Sequence, residues 1–292
     1  MRRITLCLCA LFLLPACDKP AETKPDADAK AAQDGAKDDA KADVPKDDGL
    51  PKAAELLAAS VDAVGGADVL KSVKNFHLKG SIAAPKQNLS GDVETWWEGG
   101  DFYMVQTIPG LGINRSGKKG DVIWAEEPIN GLRKLDGKEA EQHLWASSLM
   151  LAADWQQFFD SAETTGEREL EGKKVYDIKL TSKSGAALTL TLDAKSKLMV
   201  EQSFEVHSPM GSMPVTIQSL DYRDVSGMKI PHKQVTDASL MKLTQELTVV
   251  EINPGVDASK FGLPTEDIPV VSGKPEVAPA DAPKAPAEAA AK

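Results

Sequence analysis

The sequence predicts an α+β protein that is mostly antiparallel β, with one open half-barrel sheet and helices covering its concave face. Three observations carry this. From residue 76 to about 249 the apolar residues recur with a period of two. Gly-, Asn-, Asp- and Pro-containing turn signals separate the runs. Two stretches depart to helical spacing, one ahead of the series and one near its middle.

The first of these opens the globular part. In 51–64, Leu57, Val61 and Val64 share a helical face, Pro51 suits a first turn, and Gly65-Gly66 ends the helix. A second short helix, 67–73, leads into the sheet. Phe76, Leu78 and Ile82 then alternate with polar or small neighbours, as do Val93, Thr95 and Trp97 against Asp92, Glu94 and Glu98. Phe102, Met104, Val122 and Trp124 continue the pattern. After residue 170 it resumes through Tyr176, Ile178 and Leu180, then Leu188, Leu190 and Leu192, then Leu198 and Val200. Val215, Ile217, Leu243, Leu247 and Val249 complete it. One-sided alternation means an antiparallel sheet with one buried face. Between the two halves, 136–161 places Leu144, Ser148, Leu151, Trp155 and Phe158 at helical spacing, with Asp136 and Glu139 positioned as a capping box.

The flanks read differently. Arg2 and Arg3 precede an apolar run from Ile4 to Leu14, too short for a permanent span of about 20 residues. It reads as a cleaved signal peptide, 1–16. Leu14-Pro15-Ala16-Cys17 is similar to the bacterial lipobox, which implies acylation of Cys17. Cys7, Cys9 and Cys17 are the chain's three cysteines, so cleavage leaves one thiol in the mature chain, at its first position. An exported protein avoids an idle exposed thiol, and acylation uses it. Residues 17–49 form a tether rich in Ala, Asp and Lys without an aromatic side chain, which cannot bury enough surface to order itself. Its flexible length is roughly 30 Å end to end. The Pro/Ala stretch 269–292 reads as a second coreless tail. The domain between them spans 50–268.

The formal charge of -10 has no basic cluster to oppose it, which disfavours nucleic acid. Membrane attachment is therefore expected from acyl chains on Cys17 rather than from electrostatic adhesion. Asp18 follows the lipidated cysteine; in enterobacteria that residue retains a lipoprotein at the inner membrane, and other lineages read it differently, so inner and outer membrane both stay open.

Two motifs carry a family resemblance. Val64-Gly65-Gly66-Ala67-Asp68-Val69-Leu70-Lys71-Ser72-Val73-Lys74-Asn75-Phe76-His77-Leu78-Lys79-Gly80 resembles the opening of LolA/LolB-like domains, the outer-membrane lipoprotein-sorting superfamily. Leu220-Asp221-Tyr222-Arg223-Asp224-Val225-Ser226-Gly227-Met228-Lys229-Ile230-Pro231 resembles their strand, tight turn and strand. The resemblance covers roughly 52–265 and implies an unclosed barrel that binds a lipid or an acylated lipoprotein. The anchor sets this chain apart from soluble LolA and nearer to LolB.

No catalytic constellation competes with that reading. There is no Gly-x-Ser-x-Gly elbow, and Gly211-Ser212 sits in a Pro/Met loop. His77, His143, His207 and His232 are far apart, without metal-ligand spacing. Residues 110–120 lack the spacing of a phosphate loop. Asp221 and Asp224 suit a strand-end salt bridge. Hence no enzyme, no cofactor and no metal are expected.

Apolar binding remains. Trp96, Trp97, Trp124, Trp145 and Trp155 fall within sixty residues of each other. Trp97, Phe102, Met104, Trp124, Trp145 and Trp155 are the candidate lining of an acyl cavity, with plain core packing as the alternative for each ring. Trp96 shares a strand face with Asp92, Glu94 and Glu98 and is expected on the outer surface. In the loop His207-Ser208-Pro209-Met210-Gly211-Ser212-Met213-Pro214, Met210 and Met213 either form an apolar tip that touches lipid or a partner, or fold back onto the barrel. The rival function is a protein-interaction or sensor domain of an envelope complex whose cavity its own side chains fill.

Overall fold

The computed structural model describes residues 49–148, 150–209, 211–238, 241–265 and 268. The signal peptide, Cys17, almost all of the tether, Met210 and the tail 269–292 lie outside the described residues.

Two helices come first, α1 (Ala53–Ala63) and α2 (Gly66–Ser72). A meander of six strands follows: β1 (Asn75–Ala84), β2 (Leu89–Glu98), β3 (Asp101–Ile108), β4 (Gly112–Lys119), β5 (Val122–Glu127) and β6 (Gly131–Lys134). Helices α3 (Gly137–Ala146) and α4 (Leu151–Phe158) intervene. A second meander then runs through β7 (Ser161–Leu170), β8 (Lys173–Thr181), β9 (Ala187–Asp193), β10 (Met199–Ser208), β11 (Gly211–Val225), β12 (Met228–Asp237) and β13 (Lys242–Ile252).

All thirteen strands form one antiparallel sheet in the order β6-β5-β4-β3-β2-β1-β13-β12-β11-β10-β9-β8-β7. The outermost strands, β6 and β7, do not pair, so the sheet stays open. They are consecutive in sequence, and α3 and α4 make the connection between them. The open half-barrel with helices on its concave face is thus a consequence of topology: the chain leaves one edge and must cross the opening to reach the other. Tight two-residue turns fix register where both central residues take positive φ, as at Ser226-Gly227 and Glu171-Gly172.

Alternation decides the two faces. Val93 and Trp97 are buried on the inner face of β2, whereas Asp92 is exposed. The core is continuous from α1 and α4 to the inner faces of β8 and β9, where Leu56, Leu57 and Leu151 meet Ile178, Leu180, Leu188, Leu190 and Leu192. A second cluster joins Leu70, Val73, Phe76, Leu78, Trp97, Phe102, Met228 and Ile230. Among the described residues no helix is long and apolar enough to cross a membrane.

The helical segment expected over 136–161 divides into α3 and α4. Asp136 occupies the N-cap of α3 but makes no side-chain cap hydrogen bond. The expected capping box is absent because Glu139 is engaged elsewhere: both its oxygens accept from Arg133, at 2.6 Å each. Arg133 is almost fully buried, and a buried guanidinium needs a carboxylate more than an exposed helix start needs a cap.

Three strands escaped the hydrophobic pattern. The inner face of β4 carries Asn114 and Ser116, β6 is four residues long, and β7 is an edge strand exposed along most of its length. Polar inner faces and edges give no period-two signal of apolar residues.

Candidate binding cavity

Helix α1 lies across the concave face and is held at both ends. Thr164 on β7 donates from its hydroxyl to the carbonyl of Pro51 at 2.7 Å. At the other end the backbone N–H of Lys229 donates to the carbonyl of Val64 at 2.9 Å. Beside that bond Gly65 and Gly227 approach so closely that a Cβ on Gly65 would lie 2.4 Å from the Gly227 carbonyl oxygen. The Gly65-Gly66 break therefore stops α1 and also lets its end seat on the β11–β12 turn.

Helix α3 is tied to the other arm of the sheet. Beyond the Phe204–Leu188 pair β9 ends, and the β10 backbone there needs other partners. Gln142 supplies them: its amide nitrogen donates to the Glu205 carbonyl, and its oxygen accepts from the His207 N–H at 2.9 Å. Helix α4 is less constrained. Its N-cap residue Met150 makes no side-chain cap, and Asp154 breaks the helical geometry with φ -117°.

Between α1, the start of α4 and the inner faces of β9 to β12 lies a cavity of about 60 Å³. Val64, Met150, Leu151, Leu190, Leu192, Met199, Met228 and Ile230 form its apolar walls. Tyr222, Lys229 and Pro231 stand at its rim, where the Tyr222 hydroxyl donates to the Met199 carbonyl at 2.7 Å. Ser60 from α1 and Gln234 from β12 also face it; both are buried, and the Ser60 hydroxyl and the Gln234 amide oxygen make no hydrogen bond. A volume of this size holds a few waters, at roughly 10–15 Å³ each. It is well below the roughly 300 Å³ at which ligand pockets begin.

The six expected cavity residues do not converge. Trp97, Phe102 and Met104 share the inner face of β2 and β3, where Trp97 stacks on Phe76 with centroids 5.5 Å apart. Trp124 lies on the opposite, convex face. It pairs with Gly117, which pairs with Tyr103, which pairs with Trp96. That parity puts Trp124 in an outer aromatic row with Tyr103, Trp96 and His77. Without β4 in the alignment of strands, the parity could not be carried from β3 to β5.

Trp145 is packed in the core edge-on to Phe159 and against Phe204. Trp155 lines a groove between α1, α2 and α4 instead. The true wall residues, Met150, Met199 and Met228, carried a weak signal: they flank predicted strands and helices, as gap-filling methionines do.

Trp96 is on the outer face, as its charged neighbours imply, but it is half-buried. The Lys260 ammonium sits 4.6 Å from its ring centroid, and Phe261 is buried beside it on the same face. Met213 folds onto the sheet among Val206, Val215 and Ile217. Most of the expected loop around it is strand: β10 and β11 pair through Ser208 and Gly211.

The histidines stay apart. His77 bridges Glu94 and Glu251 on the outer face at 2.7 and 2.8 Å. His207 meets the Ser212 hydroxyl at 2.6 Å, with Ser212 in an extended strand at an exposed hairpin end rather than on a strand-to-helix turn. His143 is buried in α3; burial first, and the charge of Arg133 second, push its imidazole down to about 3. Asp221 pairs with Arg223 at 2.6 Å, the strand-end salt bridge the turn suggests. Among the described residues no group of three or more His, Cys, Asp or Glu side chains could hold a metal ion.

An open antiparallel sheet whose concave side is occupied by its own helices defines a LolA-like half-barrel. A LolA superfamily protein from Nitrosomonas europaea superposes with a TM-score of 0.50 at 13% identity, covering 73% of this chain and 99% of that one. A DUF1329 family protein from Desulfovibrio piger gives 0.51 at 10% identity, with 73% and 98% covered. The chain has the LolA-like fold. No profile of a known protein family and no curated protein sequence matches it.

Proposed function

We propose that this chain is a cell-envelope lipoprotein, anchored through acyl chains on Cys17 and facing the periplasm, whose half-barrel binds a lipid or the acylated end of another lipoprotein. One observation carries the binding: the helix layer encloses an apolar cavity walled by three flexible methionines and faced by two polar atoms without partners. The fold agrees with it, since the structurally similar Nitrosomonas protein is named for the LolA superfamily. At about 60 Å³ the cavity is too small for an acyl chain, so a chain enters only when the helices move outward. Helix α4, the one of the four α-helices whose geometry is broken internally, at Asp154, is the element that moves in this reading. The activity is non-enzymatic, with binding and release as the whole of the chemistry.

The small volume also favours a second reading, a protein-interaction or sensor domain whose lumen is filled by its own side chains. Native mass spectrometry of the full chain carrying Cys17→Ser, matured in the periplasm, separates the two. A co-purifying lipid mass displaced by excess acyl ligand supports the carrier; an apo mass that takes up no added lipid refutes it. Anchoring is tested separately, by fractionating wild type, Cys17→Ser and Asp18→Ser. Loss of Cys17 is expected to release the chain from membranes, and retention there would refute the anchor.

A further inference from the structure

A stripe of uncharged polar side chains crosses the inner face of the sheet. Ser219 on β11 pairs with Gln234 on β12, and Gln234 pairs with Gln245 on β13. Gln245 pairs with Ile82 on β1, and Ile82 with Gly91 on β2. One step along β2, Val93 pairs with Gln106 on β3, which pairs with Asn114 on β4. These five polar residues are 1–7% exposed, and each has a side-chain polar atom that is buried and makes no hydrogen bond. Gln234 looks into the cavity under α1, where Ser60 faces it with its own hydroxyl unpaired.

Such a belt is costly. Each buried polar atom left unsatisfied destabilises the fold, and apolar side chains of the same shape would remove that cost. The chain places apolar residues freely on the rows to one side, at Leu78, Trp97, Phe102, Ile230 and Met228, so the belt is not forced by the fold. Its chemistry is specific. It contains no carboxylate or guanidinium; His232, next to Gln234 on the same face of β12, has its Nδ1 against the Ile230 carbonyl at 2.9 Å, and the buried Arg133 on that face is already paired with Glu139 and Glu127. A carboxylate buried here would lack a counter-charge. An ester or amide linkage, by contrast, offers carbonyl acceptors to the unpaired Gln106 and Asn114 amide nitrogens and the Ser219 hydroxyl, while the unpaired Gln234 and Gln245 oxygens can accept from an amide N–H or a glycerol hydroxyl.

We propose that the belt holds the linkage region of an ester- or amide-linked, uncharged diacyl ligand, with the acyl chains along the apolar rows, so that a free fatty acid is not the favoured cargo. This rests on the lipid-binding reading above and adds the substrate class to it.

The test uses the full chain with Cys17→Ser and four probes of equal chain length: dipalmitoylglycerol, its dialkyl ether analogue, a diacylated lipopeptide and palmitate. Wild type is expected to bind the two ester-linked probes about tenfold tighter than the ether analogue. The lipopeptide against the glyceride distinguishes a lipoprotein from a lipid source. Gln106→Met with Asn114→Leu is expected to erase the ester preference while leaving affinity for the ether analogue unchanged. Asn114→Leu alone serves as a milder variant, and is expected to reduce the preference about threefold. Equal affinity of wild type for ester and ether, or a preference that survives in both variants, overturns the belt while leaving lipid binding intact. Variants that gain thermal stability yet keep the preference show a belt that holds water only, which also overturns it. Failure of wild type to bind any probe refutes the carrier reading and the belt together.

Discussion

Acidification tests how the interior is built. His143 is buried in α3, and its imidazole titrates at about 3, against an ordinary value of 6.5. The cause is first burial and then the positive Arg133 nearby, itself held between Glu139 and Glu127. Below 6.5 the unfolded chain takes up a proton there that the folded chain refuses, so the unfolded state binds more protons and stability falls with pH. The slope approaches about 1.4 kcal/mol per pH unit below the unfolded value, which amounts to about 2 kcal/mol between pH 6.5 and pH 4.5. That is a large share of a typical domain stability of about 5–15 kcal/mol. Among carboxylates with lowered pKa, Glu94, where burial pushes upward but hydrogen bonds from Lys79 and His77 prevail, adds to the loss only near the lower end of this window, and the aspartates act below it. At Asp101 burial pushes upward but hydrogen bonds from Lys119 and Gly120 prevail; at Asp193 those from Ser196 and Lys195 do. Their stabilising share is present above about pH 4 and is lost only as pH falls below it. Urea unfolding followed by tryptophan fluorescence, at steps from neutral pH to about pH 4.5, reads the slope. His143→Gln, which has no titration in this range, is expected to lose most of it. A wild-type stability that is flat over the window, or an equal slope in the variant, would show that His143 is not buried as the fold requires.

Three further outcomes follow from particular contacts. Glu139→Gln leaves the buried Arg133 guanidinium with Glu127 at 3.3 Å as its remaining carboxylate, and is expected to cost about 3–5 kcal/mol in chemical denaturation; a loss under 1 kcal/mol would mean the pair is solvated. Gly65→Ala places a Cβ against the Gly227 carbonyl at φ +134°, and is expected to cost about 2 kcal/mol, read as a lowered Tm; an unchanged Tm would mean that α1 is not seated on the β11–β12 turn. Met213→Ser removes packing on Val206, Val215 and Ile217 and is expected to cost about 1 kcal/mol; if stability is unchanged while liposome contact falls, Met213 serves as an exposed tip instead.

The class of fold is legible in the sequence, because class follows from local periodicity. Phe76, Leu78 and Ile82 in one half and Leu188, Leu190 and Leu192 in the other fix strands with a single buried face. Gly65-Gly66 and Ser226-Gly227 fix where the chain turns. The sequence also determined that Trp96 faces outward, since Asp92 and Glu94 on the same strand tie that face to water. The sequence did not determine which aromatic rings meet. Trp97 and Trp124 both read as apolar strand residues, yet they lie on opposite faces. The parity that separates them passes through Gly117 on β4, a strand whose buried side chains Asn114 and Ser116 are polar. The cavity was likewise decided by tertiary structure alone. Ser60 and Gln234 are 174 positions apart and become neighbours only because β7 and β6 are opposite edges, so the chain doubles back along the sheet and lays α1 over β12. Period and turn chemistry act over a few residues; which inner faces confront which helices depends on strand order, a long-range property with no local signature.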